Sequence, residues 1–289
     1  MQKHKEGLYI GNELGGFSTG LAAYAAFAAS FIFDREGIGS MTYQPFEPRV
    51  LSFLVYYIGL AIFSIVLTAK MAVKWRERKV QPPLLMAVSF GIFTAALVML
   101  AAGLADSAAN GAYMELYRFS LPFGYCMIVA ADIVLYKFAI VITSRGQKLF
   151  NVIIILGIVL VVVLFLPWNW WGVPAGDIGD QVSIRIYSTL ALIAYSYAVY
   201  ITIARVCRQA MADAKDPVAH GGLKLMSWAM MCMVLFFLMF VFDTVLVVAI
   251  DHPGYSEFVY VAWVFAVLFY VLMYLSVVMP EGLVKRLRK

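Results

Sequence analysis

Apolar residues in this chain fall in long unbroken blocks, with neither strand-like alternation nor a narrow helical stripe. Eight blocks stand out, at residues 16–33, 50–73, 84–104, 119–143, 149–166, 182–207, 223–250 and 258–279. Most reach the ~20 residues that a helix needs to cross ~30 Å of hydrocarbon. The first, GLAAYAAFAASFIF, is short, alanine-rich and preceded by a glycine pair. Its apolar residues encircle the helix axis, which favours spanning over lying in the interface. The largest connections, such as 167–181 and 209–222, are too small to hold a core of their own. The pattern therefore predicts an all-α fold: a polytopic transmembrane helical bundle of eight spans, a seven-helix bundle plus an N-terminal span. Residues 1–289 form a single transmembrane domain on this reading.

Composition agrees, with 63% of residues hydrophobic and 13% charged, against about 25% charged in a soluble domain. Lys3 and Lys5 are separated from the first apolar run by a polar stretch through Asn12 and Glu13, so an uncleaved anchor is expected rather than a signal peptide. Charge then sets orientation. Lys74, Arg76, Arg78 and Lys79 follow the second block, Arg145 and Lys148 the fourth, and Arg205, Arg208, Lys215 and Lys224 surround the loop after the sixth. Lys285, Arg286, Arg288 and Lys289 end the chain, whereas the intervening loops carry Asp34, Glu36, Glu47, Asp106, Glu115, Asp177, Asp180, Asp251 and Glu257. Alternate loops are basic, which predicts a cell-membrane protein with both termini cytoplasmic. Trp168, Trp170 and Trp171 then fall at an outer boundary, where amphipathic rings settle. The net charge of +5 is accounted for by these loops and implies no nucleic-acid partner. Cys126, Cys207 and Cys232 show no CxxC pairing, so neither a disulfide framework nor a zinc site is indicated.

Ionisable residues inside the blocks are the candidates for chemistry. Block 119–143 carries Asp132 and Lys137 far from either end, each costing roughly 2.5–3.5 kcal/mol to insert. Asp132 lies about 20 Å below Arg118 and Lys137 about 7.5 Å deeper, at 1.5 Å per residue. Five residues apart, they sit roughly 140° apart around the axis and are poor partners for each other. Asp132 shares a face with Tyr125, Val129 and Tyr136, and Lys137 shares the other with Cys126, Ala130, Ile133 and Ser144. Lys137 either snorkels or fills a structural role, or it faces a cavity. Helical side chains lean towards their N-terminus, which works against snorkelling to the inner edge and favours burial in protein.

Asp243 is the other deep carboxylate. Its helix runs the opposite way, so the depths of Asp132 and Asp243 converge if the helices are neighbours. Two nearby carboxylates do not both ionise cheaply: they share a proton or take a cation between them. The alternative is that each satisfies a separate buried group. Tyr136 and the tyrosines of block 182–207 are expected near this polar interior, and Tyr197 and Tyr200 fall at the depth of Lys137. Asp132, Lys137, Asp243, Tyr136, Tyr197 and Tyr200 are thus the ligand-binding or ion-coupling candidates. Met226, Met230, Met231, Met233 and Met239 read as packing rather than copper ligands.

His4, His220 and His252 all lie outside the apolar blocks, so a haem held by paired histidines is not expected. The last block carries no lysine, which argues against retinal as in microbial rhodopsins. No HExxH or P-loop occurs, and no metal, cofactor or catalytic activity is expected. Two local patterns, Tyr117-Arg118-Phe119-Ser120 with Tyr136 and Phe138 further on, and Tyr274-Leu275 followed by Met279-Pro280-Glu281 and a basic tail, resemble prokaryotic seven-helix sensor-type membrane domains. The likeness covers blocks two to eight. It implies seven helices with the C-terminus inside, and a sensing function. Multidomain sensors carry a kinase, cyclase or other output domain; here the sequence runs to Lys289 without one, so signalling would need a separate partner. The expected function is receptor-like recognition without catalysis, of a small-molecule or lipid ligand or of a partner membrane or cytoplasmic protein. An ion- or proton-coupled transporter or channel using Asp132, Lys137 and Asp243 is the first alternative, and a structural subunit of a membrane complex the second.

Overall fold

The computed structural model describes residues 48–110, 115–166, 169, 182–250 and 256–288. The expected first span, 16–33, and the tryptophans Trp168, Trp170 and Trp171 lie outside them. The described residues form α1 (Pro48–Arg78), α2 (Gln81–Asn110), α3 (Glu115–Thr143), α4 (Gln147–Phe165), α5 (Val182–Asp213), α6 (Pro217–Ile250), α7 (Glu257–Val278) and the short α8 (Glu281–Leu287). Seven of these, α1 to α7, are long and apolar enough to cross a membrane. The helices outrun the apolar blocks at their charged ends: α5 continues to Asp213 and α6 begins at Pro217. Hydropathy marks where lipid begins, while helical hydrogen bonding carries on into water.

Neighbouring helices pack in sequence, α1 on α2, α2 on α3, α5 on α6 and α6 on α7, and α7 returns to α1 to close a ring. The closing seam is aromatic: Phe53 lies 4.4 Å from Tyr260 and Tyr57 4.7 Å edge-on from Trp263, ring centre to ring centre. The helix α3 is the shared wall. It packs against α2, α4 and α5, and both faces that carry Asp132 and Cys126 are buried. Small polar groups tie the first three helices. Ser64 Oγ donates to Phe90 O at 3.3 Å, Thr94 Oγ1 donates to Ser64 Oγ at 2.7 Å, and Ser89 Oγ donates to Ala131 O at 3.2 Å.

The helix α4 is the outlier. Its buried residues Ile153, Gly157, Leu160 and Leu164 form one stripe at helical spacing, and Ile155, Leu156, Ile158 and Val159 are exposed. An apolar face of this width needs lipid rather than water as its solvent.

One end of the bundle gathers the basic turns. Three helices stop there on residues with positive φ, Lys79 (54°), Ser144 (53°) and Met279 (46°), whose amides bond back to Trp75, Ile140 and Leu275. These are left-handed caps of the kind that satisfy a last-turn carbonyl. Arg145, in the α3–α4 turn, pairs with Asp213 at the end of α5. Both are exposed, so the pair adds little stability. Asp216 caps α6 by accepting the amides of Val218 and Ala219 at 3.2 and 3.3 Å, with Pro217 at the first helical position. Leu287 of α8 rests on Gly221 of α6 so closely that a Cβ there would come within 2.6 Å of it. Gly221 is thus explained by the docking of α8, and Gly222 by the end of α7, where a Cβ would come within 2.7 Å of Met279 Cε and 3.3 Å of Ser276 O.

Candidate functional site

Asp132 sits on α3 with 0% exposure, 11 residues or about 16 Å before the end of that helix. Its partners come from α5. Ser196 Oγ donates to Oδ2 at 2.8 Å and Tyr200 Oη donates to Oδ1 at 2.5 Å. Ser196 and Tyr200 are one turn apart on one face, so their hydroxyls reach the two oxygens of a single carboxylate. Both are also at 0% exposure. The Tyr200 ring stacks on Phe237 of α6 at 6.1 Å. Tyr195, one residue before Ser196, donates from Oη to Ile153 O at 3.1 Å and so ties α5 to α4.

No cation forms an ion pair with Asp132 among the described residues. The titratable groups around it are tyrosines: Tyr195 and Tyr200 on α5, and Tyr270 of α7 within electrostatic range of the Tyr200 hydroxyl. A carboxylate accepting two neutral hydroxyls is hydrogen-bonded but not neutralised. Such a group has two chemically distinct arrangements. As the carboxylate it accepts from both hydroxyls; as the acid it must itself donate, and one hydroxyl has to turn.

The other candidates lie elsewhere. Lys137 is half-buried and its ammonium stands 5.0 Å from the ring centre of Phe150, on the α4 side of α3. It therefore rests on an aromatic face between two helices, at a groove rather than in a polar interior. Tyr136 does not join Asp132 either. Its Oη donates to Gly146 O at 2.9 Å and its ring stacks on Phe150, fixing the α3–α4 turn. Tyr197 is turned about 100° from Ser196 and packs edge-on against Phe237. Tyr200, expected beside Lys137, belongs to Asp132.

Asp243 is a correction of a different kind. Its Oδ1 accepts the backbone amide of Ser256 at 2.8 Å, the residue that precedes α7. The side chain thus staples the end of α6 to the start of α7, and it shares no hydrogen-bond partner with Asp132. The expected shared interior rested on similar depth along two helices, but Asp243 lies 26 residues or about 39 Å from the start of α6 at the basic end, against about 16 Å for Asp132 from the end of α3. Asp132→Asn and Asp243→Asn are accordingly expected to be additive in a double-mutant cycle, within about 0.5 kcal/mol of unfolding free energy in micelles. A coupling above that limit would put the two carboxylates back in one site.

Ser196 was not among the expected residues. A lone serine in an apolar helix carries no signal, because its hydroxyl can bond its own helix. The spacing Ser196–Tyr200 would have been the only clue. Among the described residues no cluster of three histidine, cysteine, aspartate or glutamate side chains is placed to hold a metal. Cys126, Cys207 and Cys232 are buried as free thiols. Comparison of the chain with protein families, with curated proteins and with solved structures gives no match.

Proposed function

We propose that the chain is a multi-pass cell-membrane protein of sensory, receptor-like type, in which the protonation state of Asp132 sets how α3 and α5 lock together. One observation carries this reading: a fully buried carboxylate bridges two helices through Ser196 and Tyr200, with no ion-pair partner among the described residues. Proton uptake would reverse one of the two bridges, turn its hydroxyl away and shift the α3–α5 packing, which is the bistable element that a switch needs. Closure of the cluster to solvent favours sensing over catalysis, since no substrate reaches these groups. Loop charge favours a cytoplasmic basic end, and with it a cytoplasmic C-terminus. The resemblance of Tyr117-Arg118-Phe119-Ser120 to seven-helix sensor-type domains points the same way. On this reading the basic end is where a partner protein takes up the change.

Infrared difference spectroscopy of the protein in lipid, stepped between acidic and alkaline buffer, tests the proposal. A carboxylic-acid carbonyl band that appears on acidification in the parent protein and is missing in Asp132→Asn is the expected result. The Asp243→Asn variant should keep that band. A spectrum with no such band, or one unchanged by Asp132→Asn, removes Asp132 as the switch. Proton movement from one side of the membrane to the other in sealed vesicles would instead favour the transporter reading.

A further inference from the structure

The ends of α5 and α6 nearest their connection enclose a groove of about 320 Å³ at the basic end of the bundle. Its polar lining is Arg208 from α5 with His220, Lys224 and Ser227 from α6, of which Arg208 and Lys224 are the cations. His220 Nδ1 lies 3.3 Å from Met211 O and links the two walls. The nearest acidic residues are committed elsewhere, Asp213 to Arg145 and Asp216 to the amides that open α6. Among the described residues, Arg208 and Lys224 make no ion pair.

The groove changes character with depth. His220, Lys224 and Trp228 follow at intervals of four along one face of α6, and Met231 continues it. Trp228 lies about 6 Å and Met231 about 10.5 Å beyond Lys224 along the helix. The indole of Trp228 is 57% exposed, on a helix apolar enough to span. Tryptophan at such a level marks the boundary between headgroups and acyl chains. Charge at the mouth, an indole at the boundary and the Met231 thioether below reproduce the polarity of a phospholipid from phosphate to chain.

We propose that the α5–α6 groove binds the headgroup of an acidic phospholipid, with its phosphate on Arg208 and Lys224 and its upper acyl chains against Trp228 and Met231. Basic pockets between membrane helices select anionic headgroups in this way. A soluble phosphate would use the cations but gain nothing from the indole and the thioether. This inference is independent of the role of Asp132.

The test uses the intact chain in phosphatidylcholine nanodiscs carrying a small fraction of phosphatidylglycerol brominated on its acyl chains. Tryptophan fluorescence should be quenched several-fold more than by brominated phosphatidylcholine at the same fraction, and Trp228→Phe should abolish the excess. Arg208→Gln/Lys224→Gln should weaken the apparent affinity at least about tenfold, from two charges near the surface. Lys285→Gln/Arg288→Gln, which removes the same charge from the same end outside the groove, should change it less than about twofold. Unlabelled phosphatidylglycerol should reverse the quenching, and inorganic phosphate in excess should not. Equal quenching by the two brominated lipids overturns the proposal, as does equal weakening in the two charge variants. Displacement by inorganic phosphate overturns the choice of a lipid. The lipid comparison is made on the unmutated chain, so no variant has to fold for the proposal to fail.

Discussion

The Ser196→Ala/Tyr200→Phe double variant is expected to lose about 3–6 kcal/mol of stability in alkaline buffer, where Asp132 is a carboxylate, because each hydrogen bond to a charged group contributes about 1.5–3 kcal/mol. Both substitutions delete a single oxygen and leave the packing of the rings and backbone in place. The cost is therefore that of a buried charge stripped of both donors. Adding Asp132→Leu should recover most of the loss. Leucine repeats the branching of aspartate, and its two methyl groups would take the places of the carboxylate oxygens, facing the sites from which the Ser196 and Tyr200 hydroxyls were removed. Removing every member of a buried polar cluster is far milder than removing part of it. Unfolding in mixed micelles, followed by loss of helical signal, gives the two numbers. A double variant within about 1 kcal/mol of the parent would mean that the carboxylate does not depend on these hydroxyls, and a triple variant no better than the double would mean that the loss came from packing.

The second large effect is expected at Gly157. A Cβ on this residue would lie 2.8 Å from Tyr195 Oη, 2.9 Å from Ile133 Cδ1 and 3.2 Å from Val129 Cγ1. Three groups on two other helices meet there, so at Gly157 α4 approaches both α3 and α5. Gly157→Leu should cost about 3 kcal/mol or more, at the upper end for overpacking, since the helix has to move as a unit. Ile153 O would also withdraw from Tyr195 Oη, the hydrogen bond one turn away. Gly59→Leu is the control. It places the same side chain on α1, where nothing lies within 4 Å, and should change stability by no more than about 0.5 kcal/mol. Comparable losses in the two variants would show that α4 is not seated through Gly157.

The seven described spans were legible because each is a long apolar block, and a chain segment with no water around it has no backbone option but the helix. Their extensions were not. Asp213 and Pro217 close and open helices whose last turns are as charged as any loop, and α8 lies in a stretch read as a basic tail. Asp132 was legible as an expense that a membrane helix does not carry idly. Its partners were only half so: Tyr200 was expected near the polar interior with the other tyrosines of its block and, by depth, beside Lys137 as well, while Ser196 was silent. Asp243 shows the limit most clearly. It was matched to Asp132 by depth, yet what it bonds is a backbone amide 13 residues later, across a turn whose path no hydropathy profile records.

The hydrogen bonds of Asp132 also impose an order on synthesis. Ser196 and Tyr200 follow it by 64 and 68 residues, so at about 5–20 residues per second α3 reaches the membrane roughly 3–14 s before either donor exists. Through that interval an unpartnered carboxylate costs roughly 2.5–3.5 kcal/mol within the bilayer, set against the apolar remainder of α3. The helices α1 to α3 can associate as they emerge, each against the one before. The far side of α3 stays unfinished until α5 arrives, which makes α5 the element that the nascent chain waits for.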